Sequence, residues 1–239
     1  MNVEQRHGGN RSAMARSLGC SAAELLDASA SLVPWTPNRL PRIWSSWRDY
    51  PDRHQRLLAA SIAALHGLDA EAVLCGNGAA ELFTWTARDA ASAGLNLLPA
   101  PGFADYIRAL RCWKGRIEET SLPLTWPGAF PQPYPDCGEG NVAWICNPHN
   151  PTGQLWSRAS LESLLSRFAL VICDEAFLPL VPDGEQQSLI PLVAKHPNLV
   201  VIRSLTKLYG IAGLRLGYAV ARPERLQRWA DWRDPWPVN

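Results

Sequence analysis

Lysine is scarce in this 239-residue sequence: Lys114, Lys195 and Lys207 stand against 20 arginines. Any chemistry that needs a primary amine therefore has three side chains to draw on. Charge of one sign is also lacking, because 23 basic and 22 acidic residues leave a formal charge of +1. That balance excludes the broad positive field by which proteins bind nucleic acid or an anionic membrane without specificity. No stretch approaches the roughly 18 consecutive apolar residues of a spanning helix, and MNVEQRHGGN has no apolar core of a signal peptide. The expectation is a soluble, cytoplasmic protein with no nucleic-acid or membrane partner. The six cysteines form no C-x-x-C pair, and three sit in strand-like apolar runs, so neither a metal site nor a disulfide framework is expected.

What is present is apolar residue, 47% of the chain against 19% charge, enough to build one large α/β domain or two small ones. From residue 70 onward, apolar runs of four to seven residues alternate with longer amphipathic stretches. That alternation predicts a mostly parallel sheet with helices on both faces. The runs 72–75, 95–98 and 142–146 lead into GNGAAELFTWTARDAA, PGFADYIRALRCW and NPHNPTG. Ser157 predicts the N-cap of a segment reaching Phe168. The run 170–173 reads as a buried strand delivering Asp174 at its carboxyl end, and 199–202 delivers Ser204 and Lys207 in the same way. Ligands of open α/β sheets bind beyond the carboxyl ends of the strands, so these polar residues should converge on one crevice. Five prolines in 120–140 predict a short strand and an extended surface loop. Residues 1–40 read as a basic arm, a short helix and a proline-punctuated segment.

Lys207 lies in SLTKLYGIAGLRLG, with Ser204 three residues before it, Arg215 eight after, and glycines that permit close backbone approach. An amine, hydroxyls and a guanidinium together suit a phosphorylated aldehyde. The amine can form a Schiff base, while Ser204, Thr206 and Arg215 can hold the phosphate. S-x-x-K alone also marks serine hydrolases of the penicillin-binding type. Asp174, ending a buried strand, is costly unless a cation such as a protonated pyridine nitrogen pairs with it, although an aspartate can also cap the next turn. Asn150 can donate to a ring hydroxyl or simply make a turn beside Pro151. GNGAAELF offers the backbone N–H groups of Gly78, Ala79 and Ala80 at a helix start, an anion site.

In this order and at these spacings, CNPHNPTG, VICDEAF and SLTKLYGIAGLRLG resemble the fold-type I pyridoxal-phosphate enzymes of the class I and II aminotransferase superfamily. The resemblance spans essentially the whole chain. It implies pyridoxal 5'-phosphate as cofactor, with Lys207 bonded to its aldehyde, Asp174 on the pyridine nitrogen and Asn150 on the ring hydroxyl. Ser204, Thr206, Arg215, Ala79 and Ala80 are implied for the phosphate, and Tyr106, ahead of Phe103, for stacking on the ring. Tyr50, in YPD, matches a tyrosine that reaches the cofactor of the neighbouring subunit, which implies a homodimer with shared sites.

Within the superfamily, HGGN at 7–10, LLDASAS at 25–31 and DEAF at 174–177 look most like the threonine-phosphate decarboxylases of cobalamin biosynthesis, with histidinol-phosphate aminotransferases as near relatives. Transaminases usually carry a tyrosine at the position of Phe177, and the decarboxylase pattern a phenylalanine. By the same resemblance His7 and Asn10 would meet a phosphorylated amino-acid substrate. Asparagines of the pattern are replaced by Ser31 and Val33. The expected organisation is an arm with part of a small domain over 1–40 and a cofactor-binding large domain over 41–239. The C-terminal small domain, with its carboxylate-binding arginine, is expected to be missing, which leaves Trp229, Trp232 and Trp236 exposed. The expected reaction is decarboxylation of O-phosphothreonine to aminopropanol phosphate. Transamination of histidinol phosphate or a similar compound, and a catalytically silent domain, are the alternatives.

Overall fold

Successive residues of a strand point to opposite faces, and the inner strands are covered on both, so nearly every position in them is apolar, whereas the edge strand Arg116–Ser121 is polar and largely exposed. The structure is a computed structural model and describes residues 9–35, 50–123 and 130–236. Its strands are β1 (Val73–Asn77), β2 (Leu95–Ala100), β3 (Arg116–Ser121), β4 (Val142–Cys146), β5 (Leu170–Asp174), β6 (Leu199–Ser204) and β7 (Leu216–Val220). They form one sheet in the order β1-β7-β6-β5-β4-β2-β3. Neighbours are parallel except β7, which runs antiparallel to both β1 and β6. Along β5, Leu170 and Ile172 enter one core, while Val171 and Cys173 enter the other.

The helices are α1 (Arg11–Leu18), α2 (Arg56–His66), α3 (Gly78–Ala93), α4 (Asp105–Cys112), α5 (Arg158–Glu162), α6 (Leu205–Tyr209) and α7 (Pro223–Trp232). Helices α3, α4 and α7 cover one face and α2 and α5 the other. The expected strands over 72–75, 95–98, 142–146, 170–173 and 199–202 are all present, and Ser157 caps α5 by accepting from the Ser160 N–H. The strand expected inside 120–140 lies earlier, at β3, and 130–140 carries no strand of the sheet.

The C-terminal tryptophans depart from their expected exposure. Pro223 at the first turn starts α7 without losing a helical hydrogen bond, and Leu226 and Trp229, three residues apart, turn one face inward. Trp229 is completely buried, and the Arg88 guanidinium lies 3.5 Å from the Trp232 ring centroid. Only Trp236 is left well exposed.

Strands β1, β4, β5 and β6 point the same way, so their carboxyl ends share one edge. Asp174 pairs in register with Cys146 on one side and Ile202 on the other, which fixes it at the centre of that edge.

Candidate functional site

Four strand ends build the site. After β1 the chain turns at Gly78, whose φ of +74° is one that a side chain disfavours, and enters α3 with its first backbone N–H groups unpaired within the helix. A Cβ on Gly78 would lie 2.4 Å from an Arg215 guanidinium nitrogen, so the guanidinium lies directly against the start of α3. A Cβ on Gly217 would lie 2.7 Å from the Ala79 amide nitrogen, which explains the second glycine. Arg215 itself has left-handed backbone, with φ of 50°. The Ser204 and Thr206 hydroxyls are 2.6 Å apart. Amides, two hydroxyls and a guanidinium thus converge as an anion cradle.

Beside the cradle lies a cavity of about 150 Å³ lined by Ala79, Ala80, Phe103, Asn150, Asp174, Phe177, Ser204, Thr206, Lys207 and Arg215. The Lys207 ammonium nitrogen is 5.3 Å from the Phe177 ring centroid. Burial lowers the Lys207 pKa, Arg215 acts in the same direction, and Asp174 opposes them. Asp174 accepts the Tyr106 hydroxyl at 2.6 Å on one carboxylate oxygen and the Ala176 N–H at 2.9 Å on the other. Burial still raises its pKa to about 6, against those two hydrogen bonds and Lys207.

That shift carries a stability cost. A carboxyl whose folded pKa exceeds its unfolded value binds its proton more tightly when folded, so stability falls as pH rises from the unfolded value through about 6. Asp174→Asn should therefore stabilise the chain without ligand by on the order of 2–3 kcal/mol near pH 8, less the cost of reorienting hydrogen bonds. The Tyr106 hydroxyl can rotate to accept from the new amide. Urea unfolding at several pH values checks this: the gain should shrink as pH is lowered toward about 5.

The cavity brings together Lys207, Asp174, Asn150, Ser204, Thr206, Arg215, Ala79 and Ala80. Gly78 stands directly behind Arg215. Tyr106 is buried behind Asp174 and does not line the cavity, whereas Phe103 does. Tyr106 lies on the inward face of α4 with Ala109 and Leu110, a helical spacing visible in the sequence. Phe103 precedes the helix, just past β2. Tyr50 is 80% exposed, packs against Trp236 and takes no part in the cavity. Asn10 caps α1 by accepting from the Ala13 N–H, outside the cavity, and His7 lies outside the described residues. The alternation of strand side chains could also have located Glu175, which points away from Asp174 into a buried ion pair with Arg203 at 2.6 Å.

A larger cavity of about 590 Å³ lies between α2 and α7, away from these groups. Among the described residues no cluster of histidine, cysteine, aspartate and glutamate could hold a metal, and no helix is long and apolar enough to cross a membrane.

Comparison with known proteins places this geometry. A family model described as aminotransferase class I and II matches residues 42–238. The threonine-phosphate decarboxylase of Salmonella typhimurium is 34% identical over 255 aligned positions, covering 98% of this chain and 66% of its own. Histidinol-phosphate aminotransferase 2 of Bacillus cereus is 31% identical, covering 85% of this chain and 58% of its own. The crystal structure of L-threonine-O-3-phosphate decarboxylase from Porphyromonas gingivalis superposes with a TM-score of 0.66 at 28% identity, over 80% of this chain and 57% of that one. The chain thus spans between 57% and 66% of the length of these relatives. With its mostly parallel sheet, its lysine beyond β6 and its aspartate at the end of β5, the chain belongs to the class I and II aminotransferase family.

Proposed function

We propose that the chain binds pyridoxal 5'-phosphate and forms the cofactor-binding part of a decarboxylase acting on L-threonine O-3-phosphate, giving (R)-1-aminopropan-2-yl phosphate for cobalamin synthesis. The residues fit the cofactor on grounds of their own. A buried carboxylate with a raised pKa calls for a cationic partner, such as a protonated ring nitrogen. The cradle of Ala79, Ala80, Ser204, Thr206 and Arg215 suits a phosphate, and neither Gly78 nor Gly217 leaves room for a Cβ there. Lys207, with its lowered pKa, is the amine available to an aldehyde.

When bound, pyridoxal phosphate supplies an electron sink for the bond broken at the substrate's Cα. Asp174 would hold the ring nitrogen protonated, Asn150 would donate to the ring hydroxyl, and Phe103 would cover a ring face. Lys207 would carry the proton that replaces the departing carboxylate at Cα. Phe177 and Phe103 both line the cavity, Phe177 within 5.3 Å of the amine.

Phe177 carries the choice of reaction. The aromatic side chain beside the amine has no hydroxyl to donate, whereas the family's transaminases usually place a phenol there. His7 is assigned to the substrate's phosphate, and Asn10, whose oxygen is engaged with Ala13, retains its amide N–H groups as donors. Tyr50, on the surface, is assigned to the cofactor of a second copy in a homodimer, and the cytoplasm is the proposed location.

Carbon dioxide release from O-phosphothreonine, measured beside amino transfer from histidinol phosphate to a keto acid, tests the proposal. Decarboxylation is expected to be the faster reaction of the whole protein. Faster amino transfer would overturn the decarboxylase reading. A cofactor absorbance band accompanied by neither reaction would favour the catalytically silent alternative.

A further inference from the structure

The hydroxyl of Tyr106 is completely buried in the chain, yet it does not enter the cavity that the proposed chemistry uses. Its single hydrogen-bond donor is spent on Asp174, at 2.6 Å. The ring that carries it cannot swing away. Phe83 and Phe103 meet it edge-on with centroids at 5.1 and 5.5 Å, and Trp144 lies at 5.2 Å. Trp144 is itself tied by its indole N–H to the Asn96 side chain at 2.9 Å. Helix α4 thus delivers a hydroxyl of fixed position to a carboxylate of β5 that is 68 residues away in sequence.

The carboxylate is held at two points. The Ala176 N–H takes one oxygen at 2.9 Å and Tyr106 takes the other. Two donors on different oxygens fix the plane of the group, and the lone pairs left over belong to the cavity wall. We propose that Tyr106 is a positioning residue for Asp174, holding its carboxylate in one orientation and ionised for a cationic ring nitrogen in the cavity. The inference rests on the cofactor reading above, and it makes Tyr106 a residue that acts through Asp174 without touching the cofactor.

The groups that face Asp174 are few. Lys207 of α6 favours its charged form, Glu175 of the same chain segment disfavours it, and the neutral Cys146 thiol of β4 donates instead to the Pro148 carbonyl. Burial is the largest influence and favours the protonated acid. Removing the Tyr106 donor therefore shifts the balance toward the acid, because hydrogen bonds to charged groups are among the stronger ones.

Tyr106→Phe removes the hydroxyl and keeps the ring in its aromatic cage. In the chain without ligand, carbon-13 NMR of labelled aspartate, with Asp174 assigned by its loss in Asp174→Asn, should show about a tenfold rise in proton affinity. In a second measurement, the affinity for pyridoxal phosphate near pH 6 should fall severalfold in Tyr106→Phe, and the loss should shrink toward pH 8, where Asp174 is ionised in both forms. The affinity for the analogue with carbon in place of the ring nitrogen should change little. An unchanged Asp174 titration, or equal losses for cofactor and analogue, would overturn the inference, the latter showing that Tyr106 serves packing alone. A native chain that fails to bind pyridoxal phosphate would remove the functional reading while the titration still decides the role of Tyr106.

Discussion

Replacing Lys207 with alanine is expected to lower turnover by at least about a thousandfold, the upper part of the range for the proton-transfer role proposed for it. The loss of cofactor affinity should be smaller, because the anion cradle at the start of α3 is untouched. The argument begins with scarcity. Of the three lysines, Lys114 and Lys195 are exposed and outside the cavity, and Lys207 alone shares it with Asp174 and Arg215. An amine must shed its proton before it can attack an aldehyde, and burial of Lys207 beside Arg215 lowers its pKa in that direction. Asp174 opposes the shift, so Asp174→Asn should lower the Lys207 pKa further. Borohydride reduction of the loaded chain followed by peptide mass mapping should place the pyridoxyl group on Lys207. Label on Lys114 or Lys195 would overturn the assignment, and so would turnover preserved in Lys207→Ala.

The sheet was legible where strands are buried on both faces, because such strands read as continuous apolar runs. β4, VAWIC, and β5, LVICD, are of this kind. β7 was hidden because LGYAV begins inside a glycine-rich motif, and its direction depends on pairing with β1 and β6, which no local pattern encodes. The site was legible for a related reason. Its residues follow strand ends, so linear order already placed Asn150, Asp174, Ser204 and Lys207 at one edge. Side-chain direction was harder. Phe103 and Tyr106 are three residues apart, and only the position where α4 begins separates the cavity wall from the buried support. The burial of Trp229 has no local signal, because the core it joins is built from α3, α4 and the sheet, far away in sequence.

Arg203→Ala should cost about 3–5 kcal/mol, the range for breaking a buried ion pair. Arg203 donates to Glu175 through Nε at 3.0 Å and Nη2 at 2.6 Å, to Glu185, and to the Ser188 hydroxyl. The side chains of Arg203 and Glu175 are 3% and 0% exposed, so removing the cation strands a carboxylate in an apolar core. At about 2–4 °C per kcal/mol for a chain of this size, the melting temperature should fall by about 10 °C. Exchanging both partners should be far milder: Arg203→Met with Glu175→Gln leaves no buried charge and keeps an acceptor for the Leu189 N–H. The pH dependence distinguishes a lost charge pair from lost packing. Burial already raises the Glu175 pKa, and without Arg203 it must rise further, so the folded single variant binds a proton that the unfolded chain releases. Its stability should fall as pH rises from about 5 to 8, while the double variant stays nearly flat over that interval. The same pair sits one residue beyond Asp174 and one before Ser204, on the opposite face of the sheet, so loosening it loosens both ends that carry the cavity. Equal destabilisation of the single and double variants at every pH would show that Arg203 contributes through packing alone.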